Sequence, residues 1–272
     1  MSRLFMRYPG FKMRALTLSY DDGVSADRRL IEIMTKHGIK GTFNINSGSF
    51  GQGKRMPAEE LLPLYRDSGM EVAVHGLHHP FWNKIPRGVA SYDIVTDRNN
   101  LEKLFGRIIR GAAYPFGATS EGAVSVLSDA GIVYCRTTVS TERFDLPTDW
   151  LRMPATCHHG NPRLFELCDR FLSQTPKYNP ALFYLWGHSY EFDDNGNWDV
   201  IERFCEKMGG RDDIWYATNI EIYEYVQDYQ RLEFSVRGDR IYNPSARTLW
   251  IFLGKEKGVI SIAPGETVLL ED

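Results

Sequence analysis

Apolar runs alternate with amphipathic stretches along most of the chain. The run Arg14–Tyr20 (RALTLSY) predicts a buried strand, and the apolar positions after Ser25, a predicted helix N-cap, repeat at helical spacing until Gly38. Later strands are predicted at 40–45, 70–75, 109–114, 132–137, 182–187 and 213–217, and later helices at 57–68, 89–105, 121–130, 163–173, 198–208 and 220–231. Because strands that alternate with helices form parallel sheets, seven or eight such units predict an α/β fold that closes into a (β/α) barrel.

The pattern changes at Leu232. Short alternating runs within 232–272 are separated by Gly, Pro and Asn-Pro, which is typical of antiparallel strands joined by tight turns. We therefore predict two parts, a barrel over 1–231 and a small antiparallel β appendage over 232–272 that packs on the barrel.

Charge and composition narrow the class of protein. The 272 residues carry a formal net charge of −3, from 32 Lys and Arg against 35 Asp and Glu that are interspersed. This balance predicts neither a nucleic-acid partner nor a membrane partner, and no apolar run approaches the roughly 20 residues that span a bilayer. Met1–Lys12 lacks the apolar core of a signal peptide. The four cysteines have no CxxC spacing, which favours reduced, buried thiols in a cytoplasmic protein. The oligomeric state stays open.

Polar residues follow several predicted strands, at the point where each strand ends. Asp21 and Asp22 follow the first strand, His75 follows the third, and His188 follows a later one. In a barrel of this type, functional side chains gather at the carboxyl ends of the strands. We therefore expect these residues to lie together.

The same residues supply the ligands of a divalent metal. His75 and His79 stand four positions apart, so one helical turn would place both rings on one side. Together with one carboxylate of the Asp21–Asp22 pair they make a ligand set typical of zinc hydrolases, and the second carboxylate remains for proton transfer. The predicted cofactor is Zn²⁺, or another divalent transition metal such as Co²⁺ or Ni²⁺. His78 is expected to point elsewhere.

The runs that carry these residues resemble the motifs of the polysaccharide deacetylases, carbohydrate esterase family four. In chain order they are SYDDG (Ser19–Gly23), HGLHHP (His75–Pro80), AYPFG (Ala113–Gly117), DLPTDW (Asp145–Trp150) and WGH (Trp186–His188). Their order agrees with the family throughout, and the fourth run is one residue longer than the family's. The resemblance covers about 14–228 and implies a distorted β/α barrel with a nodulation-factor-deacetylase-like core and a carbohydrate substrate.

The resemblance also implies a role for each matching position. Asp22 would join His75 and His79 as a metal ligand, and Asp21 would be the catalytic base. His188 would be the general acid, held by Asp149. The substrate-binding positions would be Tyr114, Pro115, Phe116, Gly117, Trp150 and Trp186, with the Phe116 N–H as an oxyanion donor.

Three positions depart from the family pattern. Ala113 stands where the family has an arginine that pairs with the base, so we expect Asp21 to be less restrained and its pKa to be less depressed. Trp186 replaces a leucine of the acetyl pocket, and Gly76 replaces a serine or threonine.

The sequence therefore predicts a metal-dependent hydrolase that removes N- or O-acetyl groups from a carbohydrate. Two alternatives stay open. One is an amidohydrolase that acts on a small cyclic amide or ureide, and the other is a sugar-binding protein that keeps the metal but has little turnover.

Overall fold

The strands and helices of the chain follow the alternation that the sequence predicts. A computed structural model describes residues 4–176, 178–254 and 258–270. In chain order the strands are β1 (Phe5–Arg7), β2 (Arg14–Asp21), β3 (Gly41–Ile45), β4 (Glu71–Val74), β5 (Gly111–Ala113), β6 (Tyr134–Ser140), β7 (Met153–Ala155), β8 (Cys157–His158), β9 (Ala181–Gly187), β10 (Ile214–Tyr216), β11 (Glu233–Phe234), β12 (Arg240–Tyr242), β13 (Leu249–Phe252), β14 (Val259–Ile262) and β15 (Thr267–Leu269). The helices are α1 (Asp27–Lys36), α2 (Ala58–Asp67), α3 (Arg87–Phe105), α4 (Glu121–Asp129), α5 (Leu164–Ser173), α6 (Tyr190–Asn195), α7 (Asp199–Met208) and α8 (Asn219–Gln230).

A parallel sheet curves into a barrel. Its strand order is β7-β6-β5-β4-β3-β2-β9-β8, and β10 pairs with the first residues of β2. The two short strands β7 and β8 lie on either side of Thr156, whose N–H donates to the carbonyl of Tyr184 on β9 at 2.8 Å. Because β7 pairs with β6 and β8 pairs with β9, this segment closes the ring. The predicted α/β barrel is confirmed.

The central strand β2 shows how the sequence sorts side chains between the two faces. Leu16, Leu18 and Tyr20 are fully buried in the apolar layer that the surrounding helices cover. The alternate residues face the barrel interior, where Thr17 bonds the side chain of Asn219 on α8. Since successive strand residues point to opposite faces, Asp21 also faces inward.

Several boundaries differ from the predictions. The first helix begins at Asp27 after Ala26, which makes no side-chain cap, so the predicted cap by Ser25 is wrong. The Ser25 N–H instead donates to the Lys54 carbonyl. Strand β1 was not predicted, and β7 and β8 lie in a stretch that showed no periodicity because each is only two or three residues long.

The C-terminal part contains two antiparallel three-stranded sheets, with strand orders β1-β13-β14 and β11-β12-β15. The first sheet takes one strand from the N-terminus, and Met6 on β1 stands opposite Ile251 on β13. The predicted division at 231/232 stays a prediction. Parts of it, residues 1–3, 255–257 and 271–272, lie outside the described residues. Within the described ranges, no helix is long and apolar enough to cross a membrane.

Candidate active site

The two adjacent carboxylates at the end of β2 point in different directions. Asp21 is 3% exposed and closes the strand from inside the barrel. Asp22 has a φ of 80°, in the left-handed region that an aspartate seldom adopts, and this turn lifts its carboxylate above the strand end. The following Gly23 also has a positive φ, and a Cβ there would lie 2.8 Å from Ile45 Cγ2, so the turn requires glycine.

The two predicted histidine ligands come together in a loop rather than a helix. Gly76 (φ 83°) and His79 (φ 55°) turn the chain after β4, so the predicted helical turn between the histidines is wrong. The two rings nevertheless lie next to each other, as predicted. The Nε2 atoms of His75 and His79 lie 3.1 Å apart. The side chain of His78 is exposed, as predicted.

The donor atoms fit a divalent metal. Ligand atoms of Asp22, His75 and His79 all lie within 4.8 Å of one another. The Nδ1 of His75 lies 2.9 Å from the carbonyl oxygen of Ala113, to which it donates, so its Nε2 carries a lone pair toward His79. Burial and the neighbouring His75 lower the pKa of His79 to about 4, which favours the neutral form of that ring. Two imidazoles whose Nε2 atoms face each other, with a carboxylate alongside, are the set that Zn²⁺ prefers.

Helix α3 holds the backbone of the histidine loop. The buried carboxylate of Asp97 accepts the N–H of His75 at 3.2 Å and the N–H of Ser47 at 2.8 Å. One turn earlier, Asp93 accepts the N–H of His78 at 3.1 Å and the indole N–H of Trp82 at 2.8 Å. These bonds fix where the two rings can lie.

A fully buried arginine holds Asp21. Arg136 on β6 donates to Asp21 Oδ2, and the side-chain amide of Asn44 donates to Asp21 Oδ1 at 2.9 Å. Burial alone would raise the pKa of Asp21, but the charge and the hydrogen bond of Arg136, with a further contribution from His188, lower it to about 2. The carboxylate is therefore ionised at neutral pH and ready to accept a proton.

Arg136 corrects the expectation drawn from Ala113. The two residues are register partners on neighbouring strands, so the guanidinium enters the site one strand further along. Asp21 is thus not less restrained, and its pKa is not raised. Trp186 accompanies this change in the arginine's position, because its ring lies 4.5 Å from the Arg136 guanidinium carbon and covers it. This charge on a predicted interior strand, in the run VYCRTTV, was the sequence signal that the prediction missed.

A second arginine forms a hydrogen bond with Asp22, the proposed carboxylate ligand of the metal. Arg55, from the loop before α2, donates from Nη2 to Asp22 Oδ1 at 3.0 Å. Sequence reasoning did not select it, since a basic residue in a polar loop is ordinary.

His188 lies across the site from the histidine loop. Its Nε2 is 3.8 Å from Asp21 Oδ2, and its Nδ1 is 2.9 Å from Oε1 of Glu191 on α6. Burial would lower the pKa of His188, but the bond with Glu191 and the charge of Asp21 raise it above its ordinary value. The structure does not bring Asp149 to this ring. Asp149 caps the turn Trp150–Arg152 before β7 and pairs with Arg152 at 2.8 Å.

The predicted substrate-binding positions separate into two groups. Near the metal ligands, Phe116 is 53% exposed, stacks on Phe81 with ring centroids 3.8 Å apart, and lies 4.4 Å from the His79 ring. Pro115 and Gly117 form the same turn, whereas Tyr114 is buried beneath it. The other two positions make different contacts. Trp150 packs on Tyr223 of α8, and Trp186 is buried inside the barrel.

These features define a class of protein. A parallel β/α barrel that carries two histidines and a carboxylate at its strand ends, next to a second carboxylate held by a buried arginine, is built like a metal-dependent hydrolase.

One protein-family model matches part of the chain. Residues 10–135 match the polysaccharide deacetylase family model. The resemblance predicted from the sequence is confirmed over this range, which is slightly less than half of the chain. No curated protein sequence matches the chain significantly.

Solved structures of this family share the fold. A putative polysaccharide deacetylase from Mycobacterium smegmatis is 15% identical, with a TM-score of 0.58 over 85% of this chain and 96% of the other. Peptidoglycan deacetylase PdaC from Bacillus subtilis, solved as a mutant, is 18% identical, with a TM-score of 0.53 over 82% and 95%. A family 4 carbohydrate esterase from Streptomyces lividans, solved with acetate, is 16% identical, with a TM-score of 0.51 over 75% and 91%.

Proposed function

We propose that this chain removes an acetyl group from a carbohydrate amide or ester by metal-dependent hydrolysis. The observation that carries the proposal is the pairing of Asp21 with Arg136, which keeps an ionised carboxylate 3.7 Å from His75 and 3.8 Å from His188. The proposed base, Asp21, and the proposed acid, His188, thus lie close together, next to the three candidate ligands.

Asp22, His75 and His79 would hold the metal. Bound there, a divalent ion would act as a Lewis acid for the acyl oxygen and would lower the pKa of a water. Asp21 takes a proton from the attacking water, since the Arg136 charge keeps it ionised. The backbone N–H of Phe116 is the proposed second donor to the acyl oxygen. His188 presents Nε2 to the site and donates a proton to the departing amine or alcohol.

The open alternatives depended on a missing arginine. Because Arg136 supplies the cation, the Ala113 position gives no reason to expect weak turnover or a redirected substrate. Deacetylation is therefore the function that the geometry supports best.

The finer assignments belong to the same proposal. Zinc is the expected metal because the donor set is two imidazoles and one carboxylate, with Co²⁺ or Ni²⁺ as alternatives. A cytoplasmic location is supported by the four cysteines, which are free and buried. The exposed Phe81–Phe116 ring pair beside His79 suits the apolar face of a sugar ring.

Metal analysis combined with acetate release tests the proposal. The purified protein should bind about one divalent ion per chain. His75→Ala and His79→Ala should lose that ion, whereas the matched variant His78→Ala should keep it, because His78 faces outward. Asp21→Asn should keep the metal and lose acetate release from acetylated sugars by on the order of a hundredfold or more.

Two results would contradict the assignments. Equal metal loss in all three histidine variants would mean that the ligands are wrong. Loss of the metal in Asp21→Asn would mean that Asp21 is a ligand rather than the base.

A further inference from the structure

Glu191 lies at the centre of three imidazoles. Its Oε1 is 2.9 Å from His188 Nδ1, and its Oε2 is 2.9 Å from His159 Nε2 and 3.1 Å from His158 Nε2. The three histidines come from two parts of the barrel rim, the end of β8 and the end of β9. Burial would raise the pKa of Glu191, but these three rings lower it far below its ordinary value, so the carboxylate is ionised.

The ring orientations show which nitrogens donate. The Gly160 N–H donates to His158 Nδ1 at 3.0 Å, so the proton of the neutral His158 ring is on Nε2 and points at Glu191. His159 is buried, and a Cβ at Gly187 would lie 2.0 Å from its Nδ1, so the close approach of the β9 backbone holds that ring in place. His158 and His159 therefore act as two fixed donors that hold the Glu191 carboxylate.

The third ring is the one that the reaction uses. With Nδ1–H of His188 directed at Glu191, its Nε2 is the nitrogen that faces Asp21. A carboxylate on one ring nitrogen fixes the tautomer and stabilises the charged ring, as a general acid requires.

We propose that Glu191, buttressed by His158 and His159, is the residue that positions His188 as the general acid, in place of Asp149. The inference rests on the proposed function. The positioning carboxylate is then in the first turn of α6, three residues after the acid itself, and not in the turn before β7.

Other ionisable groups around His188 bear on any pH effect. They are Asp21, Asp22, His158, His159, Tyr190 and Glu191, with Arg136 behind Asp21. Of these, Glu191 makes the hydrogen bond to the ring, so its removal changes both the tautomer and the charge balance.

The test compares Glu191→Gln with Asp149→Asn in the zinc-loaded protein. The glutamine keeps an acceptor but removes the charge, which should lower the pKa of His188. Activity needs the protonated ring, so the alkaline limb of the rate–pH profile should move to lower pH, and kcat should fall by on the order of a hundredfold. Asp149→Asn should leave kcat within about threefold of the wild-type value and should leave the alkaline limb where it is. Glu191→Asp keeps a carboxylate at this position, so its kcat should lie between that of Glu191→Gln and that of the wild type.

A readout that needs no turnover separates this inference from the proposed function. At a pH above the pKa of His188, where the ring is neutral, its ¹⁵N shifts should report the Nδ1–H tautomer in the wild type and in Asp149→Asn, and a mixture in Glu191→Gln. If the wild type releases no acetate, the proposed function fails, while the tautomer result still decides the role of Glu191. A tautomer that changes in Asp149→Asn and not in Glu191→Gln would overturn the inference. A second bound metal that disappears in Glu191→Gln would also overturn it, since the cluster would then be a metal site.

Discussion

At the scale of single residues, the site depends on one buried ion pair. Arg136 and Asp21 are both almost completely buried, and removal of one partner from such a pair leaves the other charge unpaired. We expect Arg136→Met to lower the free energy of unfolding by about 3–5 kcal/mol, measured by denaturant titration. The matched control Arg152→Met removes a partly exposed arginine that pairs with Asp149 and should change stability by less than about 1 kcal/mol.

The same pair sets the acid side of the pH profile. Asp21 accepts a proton only when it is ionised, so activity is lost as the pH falls through its pKa, which Arg136 lowers to about 2. Without that cation the pKa rises, and the acid limb should move to higher pH in Arg136→Met. The double variant Ala113→Arg, Arg136→Ala returns a guanidinium from the neighbouring strand and should move the limb back. An acid limb that stays unchanged in a folded, metal-loaded Arg136→Met protein would mean that Asp21 is not the titrating base.

At the scale of elements, helix α3 acts as a support for the metal loop. Asp97 accepts one N–H on each of its two oxygens, from Ser47 and from His75. Asp97→Asn offers one acceptor only, so one of these donors must face an amide NH₂. We expect the metal affinity to fall about 10- to 100-fold in a chelator competition assay. The exposed Asp129 on α4 gives the control, since Asp129→Asn should leave the affinity unchanged. An unchanged affinity in Asp97→Asn would show that the loop holds its shape without α3.

The elements differ in how far sequence could predict them. The long strands and helices were predictable because their apolar period extends over several turns or alternations, as in β2 and α7. Strands β7 and β8 are too short to show a period, and their pairing depends on closure of the ring. Because such closure is set by tertiary packing, a local pattern does not reveal it.

The candidate site divides in the same way. Asp22, His75 and His79 were predictable because each follows a strand in a recognisable run. Arg136 and Glu191 were not, since their roles depend on which strands and loops become neighbours. Asp149 matched a run, but the fold gives it a capping role in the turn before β7.

At the scale of the whole molecule, the two ends of the chain share one apolar cluster. Ile251 is fully buried and stands opposite Met6, and Tyr225 of α8 donates its hydroxyl to the Arg7 carbonyl. We expect Ile251→Ala to destabilise the entire chain by about 2–5 kcal/mol in a single cooperative transition followed by circular dichroism. Val259→Ala, at a partly exposed position of β14, is the control. Two separate transitions, with the barrel transition unmoved, would show instead that the appendage folds independently.

The adjacency of Ala113 and Arg136 has a consequence for how chains of this kind are sorted into working enzymes and inactive relatives. Neighbouring strands lie about 4.8 Å apart, and an arginine side chain is long enough to make up that distance. An arginine on the neighbouring strand of a barrel can therefore pair with a carboxylate whose position in the fold is unchanged. A sorting rule that inspects one alignment column would discard this chain. A rule that counts the cations within reach of the buried carboxylate would retain it.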